Sequence, residues 1–301
     1  MSLRLLLITV LLIAGLSSVH AKVKPVVNLS NRGITDLSTY NFSEGVVKIN
    51  LRENNISDLS GLTVPNTLKT IIFNNNLIES LNGLTLNDSL ERLLLGFNNV
   101  DGISAYSFPQ TLILLSLTSD NLENFDIQNF TLTNNLETLD LSGNFITDIN
   151  GISFNSKIKL LSLIDNEIVT LSWHLLPSSL ETLYLGANRI INFSESSFPP
   201  NLKELDLGVT FISDLSTLDL PDTLETLYLN RNLLSSVEGL VLPPNLKKLD
   251  LQNNFLTNID DIELPGSMKV LNLKGNNINQ KEQRRILRKY KDIKGLKVKF
   301  N

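Results

Sequence analysis

The chain has 301 residues and contains no cysteine, two histidines and one tryptophan. Without cysteine it forms no disulfide, builds no Cys/His zinc site and offers no thiol nucleophile. His20 falls in a leader segment described below, so His174 is the single histidine left for any acid–base chemistry. No glycine-rich phosphate loop appears. "DING" (148–151) resembles a calcium loop only in its first residues, and the D-x-[DN]-x-[DN]-G-x5-E spacing is absent. Beyond residue 16 no apolar run approaches the ~20 residues that a membrane span requires. These absences lead to an expectation of no metal, no cofactor and no enzymatic activity.

The amino terminus carries what the rest lacks. Arg4 precedes the short apolar run "LLLITVLLIAGL" (5–16), and "VHA" (19–21) places small residues around a cleavage point. That order is the pattern of a secretory signal peptide, cut after Ala21, and it predicts a secreted, extracellular chain. Small secreted domains commonly need disulfides, but residues 22–301 are numerous enough to bury a large core without them. Charge divides unevenly. Residues 22–278 carry 16 basic and 29 acidic side chains, net -13, and residues 279–301 carry nine and two, net +7.

From residue 24 onward one frame recurs, L-x-x-L-x-L-x-x-N-x-I/L. Its first position falls at Lys24, Val46, Leu68, Leu90, Leu112, Leu136, Ile158, Leu180, Leu202, Leu224, Leu246 and Met268. Ten of the eleven intervals are 22 residues, and the interval from Leu112 to Leu136 is 24. In "LETLYLGAN" (180–188) Leu180, Leu183 and Leu185 point inward while Thr182 and Tyr184 point outward. That alternation is strand periodicity, so each unit contributes one short strand. Twenty-two residues leave no room for a full helix, and the return segment is read as extended or 3₁₀. "ISDLSGLTVPNTL" (56–68) carries the inward positions Ile56, Leu59, Leu62, Val64 and Leu68. Twelve stacked strands, about 4.8 Å apart, give a parallel sheet on the order of 50 Å long.

The asparagine column of the frame comprises Asn54, Asn76, Asn98, Asn144, Asn166, Asn188, Asn232, Asn254 and Asn276, with Arg32, Asp120 and Thr210 as departures. Where the strands turn away, backbone groups are buried, and an amide can both donate to and accept from them. Arg32 sits in the terminal unit and Asp120 in the unit with the insertion. Thr210 interrupts the middle of the array, and its shorter hydroxyl predicts a more weakly held turn.

This frame resembles the leucine-rich repeat family over residues 24–278. Its 22-residue length is similar to the class shared by bacterial internalins and a eukaryotic phosphatase-regulator type. The joints "LPSSLETL" (176–183), "FPPNLKEL" (198–205), "LPDTLETL" (220–227) and "LPPNLKKL" (242–249) are similar to those of secreted and kinase-linked oomycete repeats. They resemble more loosely the F-N-I-P repeats of social amoebae, whose phenylalanine–asparagine signature is absent here. The resemblance implies a mostly β solenoid of the α/β class with 3₁₀ or short convex segments and a concave twelve-strand parallel sheet. The implied roles are adhesion, host interaction, inhibition of an extracellular enzyme or ligand capture.

Three segments follow: a signal peptide at 1–21, the solenoid at 22–278 and a cap at 279–301. At the front, Lys22, Lys24 and Pro25 read as charge and proline on an open edge. In "NQKEQRRILRKYKDIKG" (279–295) Asn279 reads as N-cap and Gly295 as stop. Ile286, Leu287, Tyr290 and Ile293 fall on the covering face, and "LKVKF" (296–300) reads as a closing strand. The basic helix is a candidate weak contact for polyanions or anionic headgroups, beside its plainer reading as a solvated cap. Without interleaved aromatics it does not read as a nucleic-acid site. His174 occupies a position where other units have leucine and reads as a half-buried convex residue. Of six N-x-S/T sequons, Asn41, Asn87 and Asn129 lie in return segments and are the candidate glycosylation sites.

Function therefore points to the concave strand positions. Tyr184, Asp206 and Tyr228 fall on successive strands with Glu204, Arg231 and Lys248 close, and Ile72, Leu94, Phe97 and Leu114 form an apolar patch. The leading reading is a secreted, non-enzymatic recognition protein that binds a protein or glycan. A second is the ectodomain of a receptor or receptor kinase whose membrane part lies beyond this sequence. A third is an extracellular hydrolase using the acidic row Asp140, Asp206 and Asp250.

Overall fold

A computed structural model describes residues 25–124, 126–190, 193 and 198–300. The signal-peptide segment 1–21 and the edge residues Lys22 and Lys24 lie outside the described residues.

Strands form where the frame places its x-L-x core. They are β1 Val26–Asn28, β2 Lys48–Asn50, β3 Thr70–Ile72, β4 Arg92–Leu94, β5 Leu114–Ser116, β6 Phe130–Thr131, β7 Thr138–Asp140 and β8 Ile152–Ser153. The series continues with β9 Leu160–Ser162, β10 Thr182–Tyr184, β11 Glu204–Asp206, β12 Thr226–Tyr228, β13 Lys248–Asp250 and β14 Val270–Asn272. Helix α1 Gln280–Lys289 and β15 Lys297–Lys299 follow. All strands except β6 and β8 make one 13-stranded parallel sheet in sequence order. Neighbours pair in unshifted register, Leu183 beside Leu205 beside Leu227. Twelve of these strands are the repeat strands and β15 is the closing strand. The protein is a leucine-rich-repeat solenoid.

The central strand residue from Ile49 to Leu271 is buried in every turn, as is the apolar residue, from Val46 to Met268, that opens each unit. Each such side chain contributes about 1.5–3 kcal/mol of apolar burial, but only against neighbouring turns. The proline joints are i to i+3 turns. Pro65, Pro177, Pro221 and Pro243 each accept the N–H of the leucine three residues on, at 3.0–3.1 Å. Proline fits there because only its carbonyl is used.

Return segments are extended or 3₁₀, as at Ile103–Ala105 and Trp173–Leu175. The 24-residue unit adds a small convex pairing, β6 with β8. His174 is exposed, contrary to its reading as half-buried. The 3₁₀ turn rotates Trp173 into the core instead, edge-on to Phe198 at 4.8 Å.

At the C-terminus the Asn279 side chain accepts the Glu282 N–H at 3.0 Å, and α1 lays Ile286 and Tyr290 on the last turns. Leu287, expected on that face, is 50% exposed, because it is rotated about 100° from Ile286. The helix ends at Lys289, ahead of the expected stop. Gly295, at φ +79°, instead closes the following turn into β15. Among the described residues no helix is long and apolar enough to cross a membrane.

Candidate functional site

The asparagine column behaves as a continuous ladder. Asn166 Nδ2 donates to Leu163 O (3.1 Å) and to Leu141 O one turn back (3.0 Å), and its Oδ1 accepts the Ile146 N–H (3.1 Å). Asn54, Asn76, Asn98, Asn144, Asn188, Asn232, Asn254 and Asn276 bridge their turns in the same manner. The ladder is structural and leaves the concave face free for other work.

A second ladder, which the repeat frame alone does not single out, runs along the opposite rim. Hydroxyls just before the opening leucine, such as Thr67, Thr111, Ser179 and Ser267, donate to the carbonyl 21 residues earlier at 2.7–2.9 Å. Beside them, Lys69–Glu91, Lys159–Glu137, Lys203–Glu181 and Lys247–Glu225 pair across turns at 2.7–3.0 Å. These exposed pairs are each worth about 0–1 kcal/mol.

Between the rims, the two outward residues of each strand and the residue after the second leucine form three concave columns. Register places Tyr184, Asp206 and Tyr228 side by side, with Glu204 two residues before Asp206 on the same face. Asp206 Oδ1 accepts the Gly208 N–H at 2.8 Å. Its carboxyl is held above the usual range mainly by burial, opposed by that N–H and helped by the charges of Glu204 and Asp250. Burial and the neighbouring Glu204 push the Tyr184 phenol up to about 12. Lys248 Nζ lies 3.0 Å from the Tyr228 hydroxyl and 4.2 Å from its ring centroid. Glycines leave the third column bare here. A Cβ on Gly186 or Gly208 would stand 3.1 Å from an Asp206 carboxylate oxygen.

N-terminal to Tyr184 the sheet sinks into a basin of about 430 Å³. Small side chains make its floor, where Ser142 Oγ lies 2.6 Å from Asp140 Oδ1 and 2.7 Å from Ser162 Oγ. Leu94, Leu114, Leu160, Ile164 and Tyr184 make its walls. The structure thus joins the tyrosine patch and part of the apolar patch into one surface. Leu160 and Ile164 were not singled out in the sequence, although their columns were readable as leucine and isoleucine in outward positions. Ile72 pairs with Leu94 at the basin's far side. Phe97 and Arg231 stand apart from this surface. Both lie in turns beyond the strands, with φ of 62° and 56°.

That turn edge carries exposed apolar side chains of its own: Phe97, Phe145, Val209, Phe211, Leu233 and Phe255. All flank the ladder column directly. A cleft of about 530 Å³ lies where α1 meets Ile259 and Asp260, and Arg285 is bound there to Asp260 and Glu282. Of the three candidate glycosylation sites, Asn41 and Asn129 are exposed. Asn87 is half-buried with its Nδ2 bonded to the Pro65 carbonyl, so its attachment atom is already engaged. Among the described residues no group of three His, Cys, Asp or Glu is placed to hold a metal ion.

No protein-family model matches the chain, and no curated protein matches it. Solved structures do match. The chain is similar to YopM from Yersinia enterocolitica WA-314, at 24% identity and a TM-score of 0.53, covering 85% of this chain and 61% of that one. It is similar to the internalin InlF of Listeria monocytogenes str. 4b F2365, at 22% identity and a TM-score of 0.61, covering 91% and 86%. It is also similar to a chain of the octameric complex of Latrophilin 3, Unc5D and FLRT2 (LRR), at 21% identity and a TM-score of 0.69, covering 92% and 90%. At such identities the likeness is one of fold, and this chain spans about three-fifths of YopM's length.

Proposed function

We propose that this chain is an exported recognition protein that holds a protein partner against its concave sheet and catalyses no reaction. The observation that carries the reading is the continuity of the apolar basin with the Tyr184–Asp206–Tyr228 row. A single surface there offers aromatic anchors, apolar walls and charge on rigid strands. Occupation of this fold by a partner is supported by the FLRT2 (LRR) neighbour, which belongs to a complex with two other proteins. Export rests on the leader pattern at 1–21, and α1 with β15 serves as the cap of the stack. N-terminal sequencing of the secreted chain tests the leader, and a first residue of Lys22 is expected.

Affinity capture from the native secretome with residues 22–301 tests the binding reading. Capture is expected to fall at least tenfold for the Tyr184→Ala/Tyr228→Ala pair and for Leu160→Arg, each checked for an unchanged thermal transition. Undiminished capture by both would remove the concave face as the site. A second, weaker contact is proposed at α1 and the turn after it, where Lys281, Arg284, Arg288 and Lys291 have no ion pair among the described residues. Reversal of these four charges is expected to lower the salt needed to elute the protein from immobilised heparin. Unchanged elution would reduce α1 to a cap alone.

A further inference from the structure

The concave surface is specific in its chemistry as well as its shape. Asp206 sits between two phenol rings, one strand spacing (about 4.8 Å) to either side, with Glu204 on the same face. Neither carboxylate has an ion pair among the described residues. Lys248, on the same face two strands further, is already engaged by Tyr228 through both its hydroxyl and its ring face. That contact shows a tyrosine of this row positioned to receive a cation. Gly186 and Gly208 place no side chain of their own over Asp206; the Asn230 amide closes on Gly208 from the next turn, and the carboxylate is open on its Gly186 side. Two carboxylates without counter-ions, flanked by aromatic faces and half removed from water, attract a guanidinium or ammonium group.

Tyr184 is also a wall of the apolar basin, so the two subsites share a side chain. The basin floor lies on β7 and β9, and the carboxylates lie on β11. That separation is two to three strand spacings, about 10–14 Å along the solenoid axis. An extended chain advances roughly 3.3 Å per residue, so about three to four residues cover it. A glycan would present hydroxyls to leucine walls, and a sulfated or uronic glycan would bring negative charge to an acidic body.

We infer that the concave face recognises an extended peptide segment of a partner protein, an apolar residue in the Leu94–Leu160 basin and an arginine or lysine three to four positions further at Glu204 and Asp206. The inference rests on the concave-face reading above and narrows it to one ligand chemistry. The basic residue supplies the charge that the row lacks, and the apolar residue fixes the register along the sheet.

The test uses the mature chain and acetylated, amidated twelve-residue peptides carrying Leu-x-x-Arg or Leu-x-x-x-Arg, with affinity read by fluorescence polarisation. Replacing arginine by citrulline, which keeps shape and removes charge, is expected to weaken binding at least tenfold. Replacing the leucine by serine should do the same. Asp206→Asn is expected to erase the difference between arginine and citrulline peptides. The citrulline comparison needs no protein variant, so misfolding cannot confuse it. Equal affinity for arginine and citrulline overturns the inference. No binding by any peptide, while a captured secretome partner still depends on Tyr184 and Leu160, also overturns it and leaves the concave-face reading standing. A captured partner indifferent to both residues overturns the broader reading as well.

Discussion

Two turns of this solenoid depart from asparagine in mid-array, and they are strained in opposite places. At Asp120 the side chain is 1% exposed. Its Oδ1 accepts the Asn98 N–H at 2.8 Å, and its Oδ2 is buried without a partner. At Thr210 the side chain is equally buried but satisfied, with its hydroxyl donating to Leu207 O at 2.8 Å and lying 3.2 Å from Asn232 Oδ1. The backbone responds alike in both. Regular turns send the N–H after the column back one turn, as Leu233 to Ile212 O and Phe255 to Leu234 O at 2.8 Å. Asn121 and Phe211 do not make that bond and adopt φ of 60° and 64°. Asparagine tolerates the left-handed region, whereas a phenylalanine there costs about 1–2 kcal/mol. The first break therefore stores its cost in a carboxylate and the second in the main chain. An asparagine in this column thus does two jobs at once, satisfying carbonyls and holding the next residue in its ordinary conformation.

The largest effect should come from breaking a regular turn. Asn166→Ala removes donors to two buried carbonyls and the acceptor of the Ile146 N–H. Each orphaned group costs about 1–3 kcal/mol, so a loss of about 3 kcal/mol is expected in chemical denaturation. Thr210→Ala, which gives up the one hydroxyl that donates to Leu207 O, should cost about a third of that. Equal losses would show that the column is not the source of turn stability.

Asp120→Asn comes next and acts in the opposite direction. Burial pushes the Asp120 carboxyl up from the usual 3.8 to about 7, against the lowering by the Asn98 N–H. Between those two values the folded chain holds a proton that the unfolded chain has released. This residue's contribution is therefore most favourable in acid, falls as pH rises from about 4, and levels off above about 7. Asp120→Asn should stabilise the protein by about 1–3 kcal/mol at pH 8 and by little at pH 4. The difference between variant and parent across that range isolates the group from other titrations. A pH-independent difference would place the cost elsewhere.

How far the sequence reaches follows the same division. The strands, their register and the ladder were legible because a 22-residue period repeats their physics in each turn. Where one unit departs, the period has nothing to say about geometry. His174 was read through the leucine column, and a 3₁₀ turn gave that place to Trp173. Phe97 and Arg231 were grouped with the concave patch by nearness in sequence, yet the left-handed residue after each strand puts them beyond the sheet. The basin could not be read from any single unit. It arises from Ser116, Asp140, Ser142 and Ser162 lying among Leu94, Leu114, Leu160, Ile164 and Tyr184, which is a property of neighbours in space.

Thr210→Asn is the smallest expected effect and the most discriminating. An amide at 210 would reach both the Leu207 carbonyl and the turn before it, as Asn188 and Asn232 do. Its Oδ1 would offer the Ile190 N–H the acceptor that the equivalent residues of regular turns possess. If that also returns Phe211 to φ below zero, the variant gains about 1 kcal/mol, close to the cost of a left-handed phenylalanine. Phe211→Gly provides the control, because glycine removes the strain without restoring the ladder. A gain in Thr210→Asn that vanishes when Phe211 is already glycine would assign the benefit to the backbone. A gain that persists would assign it to the amide. Destabilisation by Thr210→Asn would mean that the rim holding Val209 and Phe211 requires the irregular turn, and then the break is part of how that edge is shaped.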